Sequence, residues 1–523
     1  MSAPTTQRRT VAREDLSADV TIIGAGFAGL VAGALLAKDG LKVRILERDI
    51  HPGGCAARYQ RKHAAGTFGF AVGATVCAGM EPGGLLSSIY SKLGIHRALP
   101  NLDPVMRLHL NDRQAFVPGT RAGWARELER AFPGQQAAKR RFWSEIQSIA
   151  DTMHYVAKRF PVMPFKNLND VIDTARGAHP GALKVLLNLG QTVGQLLEKS
   201  GVSDPAHRAF IDGQLLDSMQ IVSSGCTLTN GAYALEVYRY GAQYVPGGLA
   251  TLAEDLAGAI QANGGQIHYA TRAKRIIVEG GQVRGIESHG RNFLSPVVIS
   301  TAPVPDTIAL TNHDPALEPL REKFEAMPEI WGAFTLYIGV ADNALPSDAL
   351  RFEQVTDFDD HGIVENFLIS SSAPGDLTRA PLGYRSITIS THVRAAEWFG
   401  LEDSAYQDKK RDFEHRILKR LEALFPGFTD RIVLLESGTP RTFQRFTLHS
   451  LGRVGGLPQT TSSAAFGAIH HTTPIPGLLL AGETVFPGQG TLGVSVSGFN
   501  AYRTAKRFLG RQPQTRRGHM MSR

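Results

Sequence analysis

The chain is 523 residues long, with 43% hydrophobic residues, 20% charged residues and a formal net charge of +8. This composition is typical of a globular protein and excludes a mainly disordered, collagen-like or coiled-coil chain. The three cysteines, Cys55, Cys77 and Cys226, form no Cys-x-x-Cys pair. Neither a disulfide framework nor a structural zinc site is therefore predicted.

The positive charge is concentrated at the C-terminus, and the rest of the chain carries only +2. A nucleic-acid partner is therefore not expected. Such a basic tail has two interpretations: a solvated chain end, or a segment attracted to an anionic membrane surface. Its basic residues, which no acidic residue accompanies, are Lys506, Arg507, Arg511, Arg516, Arg517 and Arg523.

The first 18 residues are polar and predict a flexible N-terminus without a signal peptide, because charged residues follow Arg8 and Arg9. The uncharged run Val20–Ala37 has the length of a membrane span. Its four glycines favour a buried strand, a turn and a helix instead. We therefore expect a cytoplasmic protein, with peripheral attachment to the inner face of the cell membrane as a further hypothesis.

Residues 20–47 have the spacing of a dinucleotide-binding βαβ unit. A β-branched strand, Val20–Ile23, leads into the motif GAGFAG. A helix over Leu30–Lys38 and a second strand over Lys42–Leu46 are predicted to follow. In this context the Gly-x-Gly-x-x-Gly motif strongly indicates a bound dinucleotide.

Each residue of the motif has an expected role. Gly24 permits the tight turn, Gly26 lets the backbone approach the pyrophosphate, and Gly29 lets the helix lie close to the strand. Phe27 and Ala28 begin the helix, whose N-terminal amides and dipole favour the anionic pyrophosphate.

Other residues decide which dinucleotide is bound. Glu47, at the end of the second strand, is placed to accept a hydrogen bond from a ribose hydroxyl and to repel a 2′-phosphate, which disfavours NADP. A second glycine pair, Gly53 and Gly54, follows, and such a pair is typical of one group of FAD-binding proteins. FAD is therefore favoured over NAD.

The segment 476–498 predicts the opposite side of a flavin site. A short apolar strand ends at Gly482 and Glu483, and a glycine-rich turn then opens a helix at Gly490, Thr491 and Leu492. Glu483 is expected to bind the ribityl or phosphate group. The helix N-terminus would stabilise negative charge on a reduced flavin ring. FAD is the expected cofactor.

On these motifs the chain resembles the FAD-dependent amine oxidase and phytoene desaturase superfamily, and most of all its carotenoid desaturase and isomerase branch. The stretches FAVGAT from Phe70 and EPGG from Glu81 are similar to bacterial carotenoid 3′,4′-desaturases. The resemblance also implies that a strand at Ala273 contacts the adenine. The chain departs from the family at Ala71, where Asp is usual, and at Cys55, where Arg is frequent.

The resemblance implies an α/β fold, in which a Rossmann-type FAD-binding domain is interleaved with a mixed-sheet and helical substrate domain. The FAD-binding domain would be assembled from residues 19–105, 244–305 and 470–508. The substrate domain would comprise residues 106–243 and 306–469. A flexible N-terminus, 1–18, and a basic tail, 509–523, would flank them.

The sequence also predicts individual elements outside the βαβ unit. These are helices over 249–263 and 406–425, and strands over 266–269, 274–278, 282–287, 297–301, 331–340 and 385–391. The apolar segment 182–197 predicts a core helix. The alternative is a helix that enters a bilayer interface through Leu183, Leu186, Leu187 and Leu197.

The chemistry implied by the resemblance is hydride transfer from an allylic carbon of a long polyene to the flavin, with loss of a proton. No catalytic acid or base and no metal site is predicted, and the adjacent pair His470 and His471 is interpreted as loop polarity. Three aromatic residues of one predicted strand, Trp331, Phe334 and Tyr337, either line a substrate tunnel or fill a sheet core. A single Gly-x-Gly-x-x-Gly motif indicates that electrons come from the organic substrate or an external reductant.

Four functions remain open on the sequence. The first is an FAD-dependent carotenoid desaturase acting on an acyclic, hydrophobic polyene in carotenoid biosynthesis. The second is a carotenoid cis–trans isomerase that uses reduced FAD. The third is an FAD-dependent amine oxidase, and the fourth is a flavin-bearing binding protein of the same fold. The sequence does not indicate the oligomeric state.

Overall fold

The structure is a computed structural model that describes residues 16–511, apart from the side chain of Arg511. Its strands, in chain order, are β1 (Val20–Ile23), β2 (Val43–Leu46), β3 (Arg58–His63), β4 (Gly66–Ala71), β5 (Cys77–Ala78), β6 (Met106–Leu110), β7 (Arg113–Val117), β8 (Ala242–Gln243), β9 (Gln266–His268), β10 (Arg275–Glu279), β11 (Gln282–Ser288), β12 (Arg291–Leu294), β13 (Val297–Ser300), β14 (Gly332–Ala341), β15 (Phe352–Asp359), β16 (Gly362–Ser371), β17 (Tyr384–Val393), β18 (Ile432–Gly438) and β19 (Leu478–Leu480). Its helices are α1 (Phe27–Lys38), α2 (Leu85–Leu93), α3 (Arg121–Ala131), α4 (Gln136–Ala157), α5 (Leu168–Ala175), α6 (Ala182–Leu187), α7 (Val193–Ser200), α8 (Pro205–Met219), α9 (Leu228–Tyr240), α10 (Leu249–Ala262), α11 (Val304–Leu310), α12 (Glu318–Glu325), α13 (Asp403–Leu424), α14 (Pro440–Thr447) and α15 (Gly490–Arg511).

The first sheet contains the strands of the dinucleotide motif. Its five parallel strands have the order β19-β13-β1-β2-β9. β1, β2 and β13 are mainly apolar and buried along their whole length, as expected for strands that helices cover on both faces. Helix α1 contacts α10, α15 and the sheet. The turn between β1 and α1 is thereby held at the carboxyl edge of the sheet.

The prediction of a strand, a turn and a helix for Val20–Ala37 is confirmed. β1 has the predicted bounds, whereas α1 begins at Phe27, three residues before the predicted start at Leu30. The reason is that Gly26 is the N-cap, and its carbonyl already accepts a hydrogen bond from the Leu30 amide at 2.9 Å. The large apolar side chains of this run are buried. No helix within residues 16–511 is long and apolar enough to cross a membrane.

The other predicted elements outside 182–197 form within three residues of their expected bounds. All strands of the five-stranded sheet come from the three segments predicted to build the FAD-binding domain. All strands of the seven-stranded sheet described next come from the two segments predicted to build the substrate domain. The division into domains itself stays a prediction.

The second sheet is mixed and has two differently used faces. Its seven strands have the order β18-β14-β17-β16-β15-β6-β7, with β15 and β6 parallel and the other pairs antiparallel. Phe367 of β16 lies in a core with Phe334, Trp398 and the buried side of α13. Its neighbour Leu368 points to the opposite face, where it joins a core that includes Phe210 of α8.

A layer of helices covers that opposite face. Trp124 of α3 stacks on Phe210 of α8, with ring centroids 5.0 Å apart, and meets Trp143 of α4 edge-on at 4.8 Å. Helix α9 lies along α4 and also contacts α8. These contacts bring the C-terminal parts of α4 and α8 together with α9.

The prediction of one helix over 182–197 is wrong. The segment breaks into α6 and α7, and Thr192 caps α7 by accepting a hydrogen bond from the Gln195 amide. Leu197 is buried in the core, as predicted, but the leucines of α6 are not. Leu183, Leu186 and Leu187 are 66%, 56% and 70% exposed.

Helix α15 contains the first basic residues of the C-terminal cluster and extends into the predicted tail as far as Arg511. Lys506 forms an ion pair with Asp39 at 2.6 Å, and Arg507 forms one with Asp173 at 2.7 Å. Both side chains therefore attach the helix to the fold. Residues 512–523, and with them most of the predicted tail, lie outside the described residues, as do residues 1–15 of the predicted flexible N-terminus.

Candidate functional site

A cavity of about 1580 Å³ extends from the carboxyl edge of the five-stranded sheet to the helical layer. Its dinucleotide end is lined by the loops after β1 and β2. Its apolar end is lined by α4, α8, α9 and strands β14, β16 and β17. Pockets that bind drug-sized ligands typically have volumes of about 300–1,000 Å³. The cavity therefore has room for a dinucleotide and a second long molecule.

The glycines of the first loop are required by close contacts. Gly24 has a φ of +92°, and a Cβ there would lie 2.4 Å from Thr301 Oγ1. A Cβ at Gly29 would lie 2.3 Å from the Gly24 carbonyl oxygen, which explains why only glycine lets α1 approach β1. Gly29 lies behind the lining, whereas Gly24 borders the cavity.

Gly26 is different because no contact within the fold requires a glycine at this position. A Cβ there meets no atom within 4 Å, and the residue borders the cavity. Gly26 also provides no side-chain cap for α1, so the amides of the first turn, at Phe27 and Ala28, are left for a ligand. This is the arrangement that binds a pyrophosphate at a helix N-terminus.

The carboxylate of Glu47 is held beside this loop. Its Oε2 accepts a hydrogen bond from the Ala25 amide at 2.6 Å, and its Oε1 accepts one from the Asp49 amide at 2.7 Å. Burial raises the pKa of Glu47, and these two hydrogen bonds oppose that shift. Glu47 borders the cavity at the position expected of a group that accepts a hydrogen bond from a ribose hydroxyl.

The second glycine pair lies directly against the first loop. Gly53 forms a parallel bridge with Gly26, and its amide donates to the Ala25 carbonyl at 2.8 Å. A Cβ at Gly54 would approach the Gly26 Cα to 3.3 Å. Cys55, which replaces the frequent Arg, borders the cavity, and burial raises the pKa of its thiol to about 12. The thiol is therefore neutral and a poor nucleophile.

The C-terminal motif closes the opposite side of the cavity. Gly482, with a φ of +115°, donates its amide to Ser497 Oγ at 2.9 Å, which ties the turn to α15. Glu483 borders the cavity, and its Oε1 lies 3.8 Å from His449 Nδ1. The predicted residue Ala273 is buried, precedes β10 and borders the same cavity.

Helix α15 starts at the cavity, as the sequence predicts. Gly490, Thr491 and Leu492 form its first turn and all border the cavity. The partial positive charge of this helix N-terminus is directed at the same space. Apart from Gly29, all predicted cofactor residues thus line one cavity, although their binding roles stay predictions.

The three aromatic residues of the predicted strand 331–340 lie in three different environments. Tyr337 borders the cavity, and its hydroxyl donates to the Val72 carbonyl at 2.9 Å. Phe334 is fully buried in the sheet core, stacked on Trp398. Trp331 instead donates its Nε1–H to the Gln220 carbonyl at 3.0 Å.

The interpretation of His470 and His471 as loop polarity is wrong. Both side chains are buried. His470 Nε2 lies 3.4 Å from Asp170 Oδ2, and His471 Nε2 contacts Thr504 Oγ1 at 2.8 Å. They therefore connect α5 and α15 to the loop before β19. Among residues 16–511 no group of three or more His, Cys, Asp or Glu side chains could hold a metal ion.

Sequence reasoning missed the polar groups of the apolar end. Asp217 of α8 and His392 of β17 both border the cavity. Gln220 Nε2 donates to His392 Nε2 at 2.8 Å, and burial lowers the pKa of His392 to about 4, so its ring is neutral. No motif marks these residues. The only sequence signal is an acid that directly follows Leu215 and Leu216 in α8.

The residues present fit FAD. They offer an unfilled space at Gly26, two helix N-termini, and one carboxylate, Glu47, at the end of β2. Residues 22–93 match the family model described as an NAD(P)-binding Rossmann-like domain. The sequence and fold thus define a dinucleotide-binding protein of the two-domain α/β class.

Solved structures share this fold. The chain is similar to an oxidoreductase from Methanosarcina mazei, with a TM-score of 0.62 and 18% identity, over 92% of this chain and 99% of that one. It is also similar to cyclohexylamine oxidase from Brevibacterium oxydans, with a TM-score of 0.61 and 16% identity, over 94% and 100% of the two chains. The likeness shows the mixed α/β fold with a Rossmann-like domain.

Curated relatives match over most of the chain. Prolycopene isomerase from Daucus carota is 28% identical over 492 residues, which are 92% of this chain and 78% of the relative. The Arabidopsis thaliana prolycopene isomerase is 29% identical over 494 residues, 92% and 81% of the two chains. A 4,4′-diapophytoene desaturase from a Methylomonas species is 28% identical over 292 residues, 54% and 53% of the two chains. The homologues are thus carotenoid isomerases and desaturases, and the predicted resemblance to that branch is confirmed.

Proposed function

We propose that the protein is an FAD-dependent oxidoreductase that acts on a carotenoid, with desaturation of an acyclic polyene as its reaction. The observation that carries the proposal is the continuity of the cavity, which joins the dinucleotide end to a mainly hydrocarbon-lined space. When bound, FAD supplies an acceptor for a hydride from a carbon beside its ring. The homologous desaturase and isomerases support the substrate class.

The chain's own residues would bind, orient and shield. The glycine loop and the N-terminus of α1 hold the pyrophosphate, Glu47 holds a ribose hydroxyl, and Glu483 holds the ribityl or phosphate group. The N-terminus of α15 stabilises negative charge that develops beside it. Met153, Val156 and Leu368 line the apolar end and position a polyene while excluding water.

Cis–trans isomerisation is the second candidate. The prolycopene isomerases match 92% of the chain at 28% and 29% identity, whereas the desaturase matches 54%. Both reactions need the same cofactor site and the same long apolar space. The amine oxidase alternative rests only on the fold, because the amine oxidase neighbour is 16% identical.

We further propose that the protein takes its substrate from a membrane surface, where it lies peripherally. Exposed apolar residues are concentrated on α5 and α6, the two short helices that follow α4 in the chain. They are Leu168, Val171 and Ile172 of α5, Leu183, Leu186 and Leu187 of α6, and the rings of Phe165 and Phe466, whose centroids are 5.7 Å apart. We call this set the apolar patch.

The α6 part of the apolar patch and the cavity contact different sides of α4. Met153, Val156 and Ala157 of α4 border the cavity. On the other side of α4, Lys184 of α6 donates to Ser148 Oγ at 2.9 Å. Arg176, at the end of α5, is exposed beside the patch and is suited to anionic headgroups. A lipid-soluble polyene would thus have to cross only the thickness of α4.

The test is anaerobic incubation of the FAD-loaded protein with acyclic carotenoids in liposomes. Flavin absorbance is followed, and the pigments are separated by chromatography. Bleaching of the flavin together with a longer, red-shifted chromophore supports desaturation. A new isomer of unchanged mass, formed only after the flavin is pre-reduced, supports isomerisation. Folded protein that retains FAD and converts no carotenoid contradicts both.

A further inference from the structure

Asp217 lies in the last turn of α8 and borders the apolar end of the cavity. The next residue, Ser218, accepts at its carbonyl a hydrogen bond from Gln489 Nε2. Gln489 directly precedes Gly490, where α15 begins at the dinucleotide end. Asp217 is therefore close to the boundary between the two ends of the cavity.

The carboxyl group of Asp217 has no hydrogen-bond or ion-pair partner among residues 16–511. The titratable groups around it are Tyr238 of α9, which interacts with it electrostatically, and His392 of β17, which borders the same cavity. Asp212 of α8 accepts the Ser223 amide and is thereby occupied. No cation among these groups stabilises the ionised form.

This isolation distinguishes Asp217 from the other acids of the helical layer. Asp204 is paired with Lys139 at 2.6 Å, and Glu236 with Arg121 at 2.9 Å. A desolvated carboxyl without a partner costs stability. Burial raises the pKa of Asp217 to about 6, so the group can both hold and release a proton near neutral pH. Such a group in a cavity is a candidate for catalysis.

We propose that Asp217 is a catalytic residue that accepts the proton lost by the polyene during desaturation, an inference that rests on the proposed function. One C–H bond gives up its hydride, with both electrons, to the flavin oxidant. The neighbouring C–H bond then breaks, and its electron pair becomes the π bond of the new double bond. Its proton bonds to a carboxylate oxygen of Asp217, which becomes neutral and later releases the proton to solvent.

The test compares Asp217→Asn and Asp217→Glu with the wild type and with Asp360→Asn, a change on an exposed turn. The Asn variant should keep its FAD and lose about 100-fold in the rate of carotenoid conversion. The Glu variant, which retains a carboxylate, should recover part of that rate. Because the acceptor must be ionised, the wild-type rate should rise with pH through about 6, and the Asn rate should not.

A second readout does not depend on activity. The folded protein disfavours ionised Asp217, so the wild type should lose stability as pH rises from about 4 to 7, and Asp217→Asn should not share that loss. The Asn variant should therefore melt higher than the wild type at pH 7.5, and the difference should close at pH 4. A difference in melting temperature that stays constant across pH would contradict the inference that the Asp217 carboxyl is buried without a partner.

The failure of this inference is distinguishable from the failure of the proposed function. Wild-type protein that binds FAD and converts no carotenoid overturns both. A wild type that converts carotenoid while Asp217→Asn does so at the same rate, with the same pH profile, overturns only the role of Asp217. Equal losses in the Asn and Glu variants, accompanied by loss of FAD, would also overturn it, because the defect is then structural.

Discussion

The two ends of the cavity are built by different means. The dinucleotide end is made of backbone: tight glycine turns at Gly24 and Gly53, an open space at Gly26, and the first turns of two helices. The apolar end is made of side chains from α4, α8, α9 and three strands that are distant in sequence. Backbone sites bind a constant group such as a pyrophosphate, whereas side-chain walls can change with the substrate.

The largest expected effect comes from filling the backbone end. Gly26→Val places its Cβ where no protein atom lies within 4 Å, so we expect the fold to tolerate the change while the pyrophosphate loses its space. We expect at least a 1000-fold loss of FAD affinity, on the order of 4 kcal/mol, with an unchanged melting temperature of the FAD-free protein. Fluorescence titration with FAD and calorimetry measure the two quantities.

The matched control for that change is Gly258→Ala, on the exposed side of α10, where an added Cβ also meets no atom within 4 Å. It should bind FAD like the wild type. If Gly26→Val kept full FAD affinity, the dinucleotide end would be misplaced. If it failed to fold, the open space at Gly26 would not be the reason that glycine stands there.

The next effect separates the apolar end from the cofactor. Ala234 of α9 borders the apolar end of the cavity, and Ala234→Phe would fill part of the polyene's space. We expect normal FAD content and about a 100-fold lower rate of carotenoid conversion, because small misplacements of a substrate have effects of that size. The rate per bound flavin, measured by chromatography, checks this.

The control for cavity filling is Ala137→Phe on an exposed face of α4, which should leave the rate unchanged. A loss of FAD in Ala234→Phe would mean that the two ends do not bind separately. An unchanged rate would place the polyene elsewhere in the molecule.

The same difference explains what the sequence could predict. The strand bounds of β1 and the roles of Gly24 and Gly29 in the turn and in helix packing follow from local backbone requirements that a motif records. Asp217 has no such record, because its isolation depends on residues of α9 and β17 that only the fold brings near it. The seven-stranded sheet pairs β15 with β6, more than 200 residues away in sequence, and no local pattern indicates that pairing.

The failure at 182–197 has a local physical cause. Apolar periodicity continues through the segment, but Thr192 and Gln195 form a capping box that starts a new helix. Thr-x-x-Gln is a readable capping pattern, so the break could have been found. The exposure of Leu183 and Leu187 could not, because periodicity identifies an apolar face and not what covers it.

The apolar patch gives the third prediction. Replacing Leu183, Leu186 and Leu187 with Ser removes apolar surface that would enter a bilayer. If each leucine buries the equivalent of one methylene group, each contributes about 0.8 kcal/mol to the free energy of membrane binding. We expect about 50-fold weaker binding to anionic liposomes, measured by flotation. Conversion of detergent-dispersed carotenoid should stay unchanged, because the cavity walls are intact.

Two other exposed leucines make the control for the patch. Leu377 and Leu382 are 67% and 80% exposed and belong to the loop between β16 and β17. Their replacement with Ser should leave liposome binding unaltered. Equal losses of liposome binding in both sets of variants would indicate non-specific hydrophobic adsorption. Unchanged liposome binding of the α6 variant would contradict the proposed membrane side of the molecule.

The smallest expected effect is on acid stability at the apolar end. Burial lowers the pKa of His392 from 6.5 to about 4, so the unfolded chain binds a proton more readily than the folded one. Stability from this residue is present above pH 6.5 and is lost as pH falls toward 4. At pH 5 the loss is about 2 kcal/mol relative to pH 7.5. His392→Gln retains an oxygen that can accept from Gln220 and does not titrate, so urea unfolding should show that much less acid destabilisation.

His361→Gln, on an exposed turn, should keep the wild-type slope. A wild-type slope in His392→Gln would mean that water reaches the imidazole, and the apolar end would then not be the dry space that hydride chemistry needs.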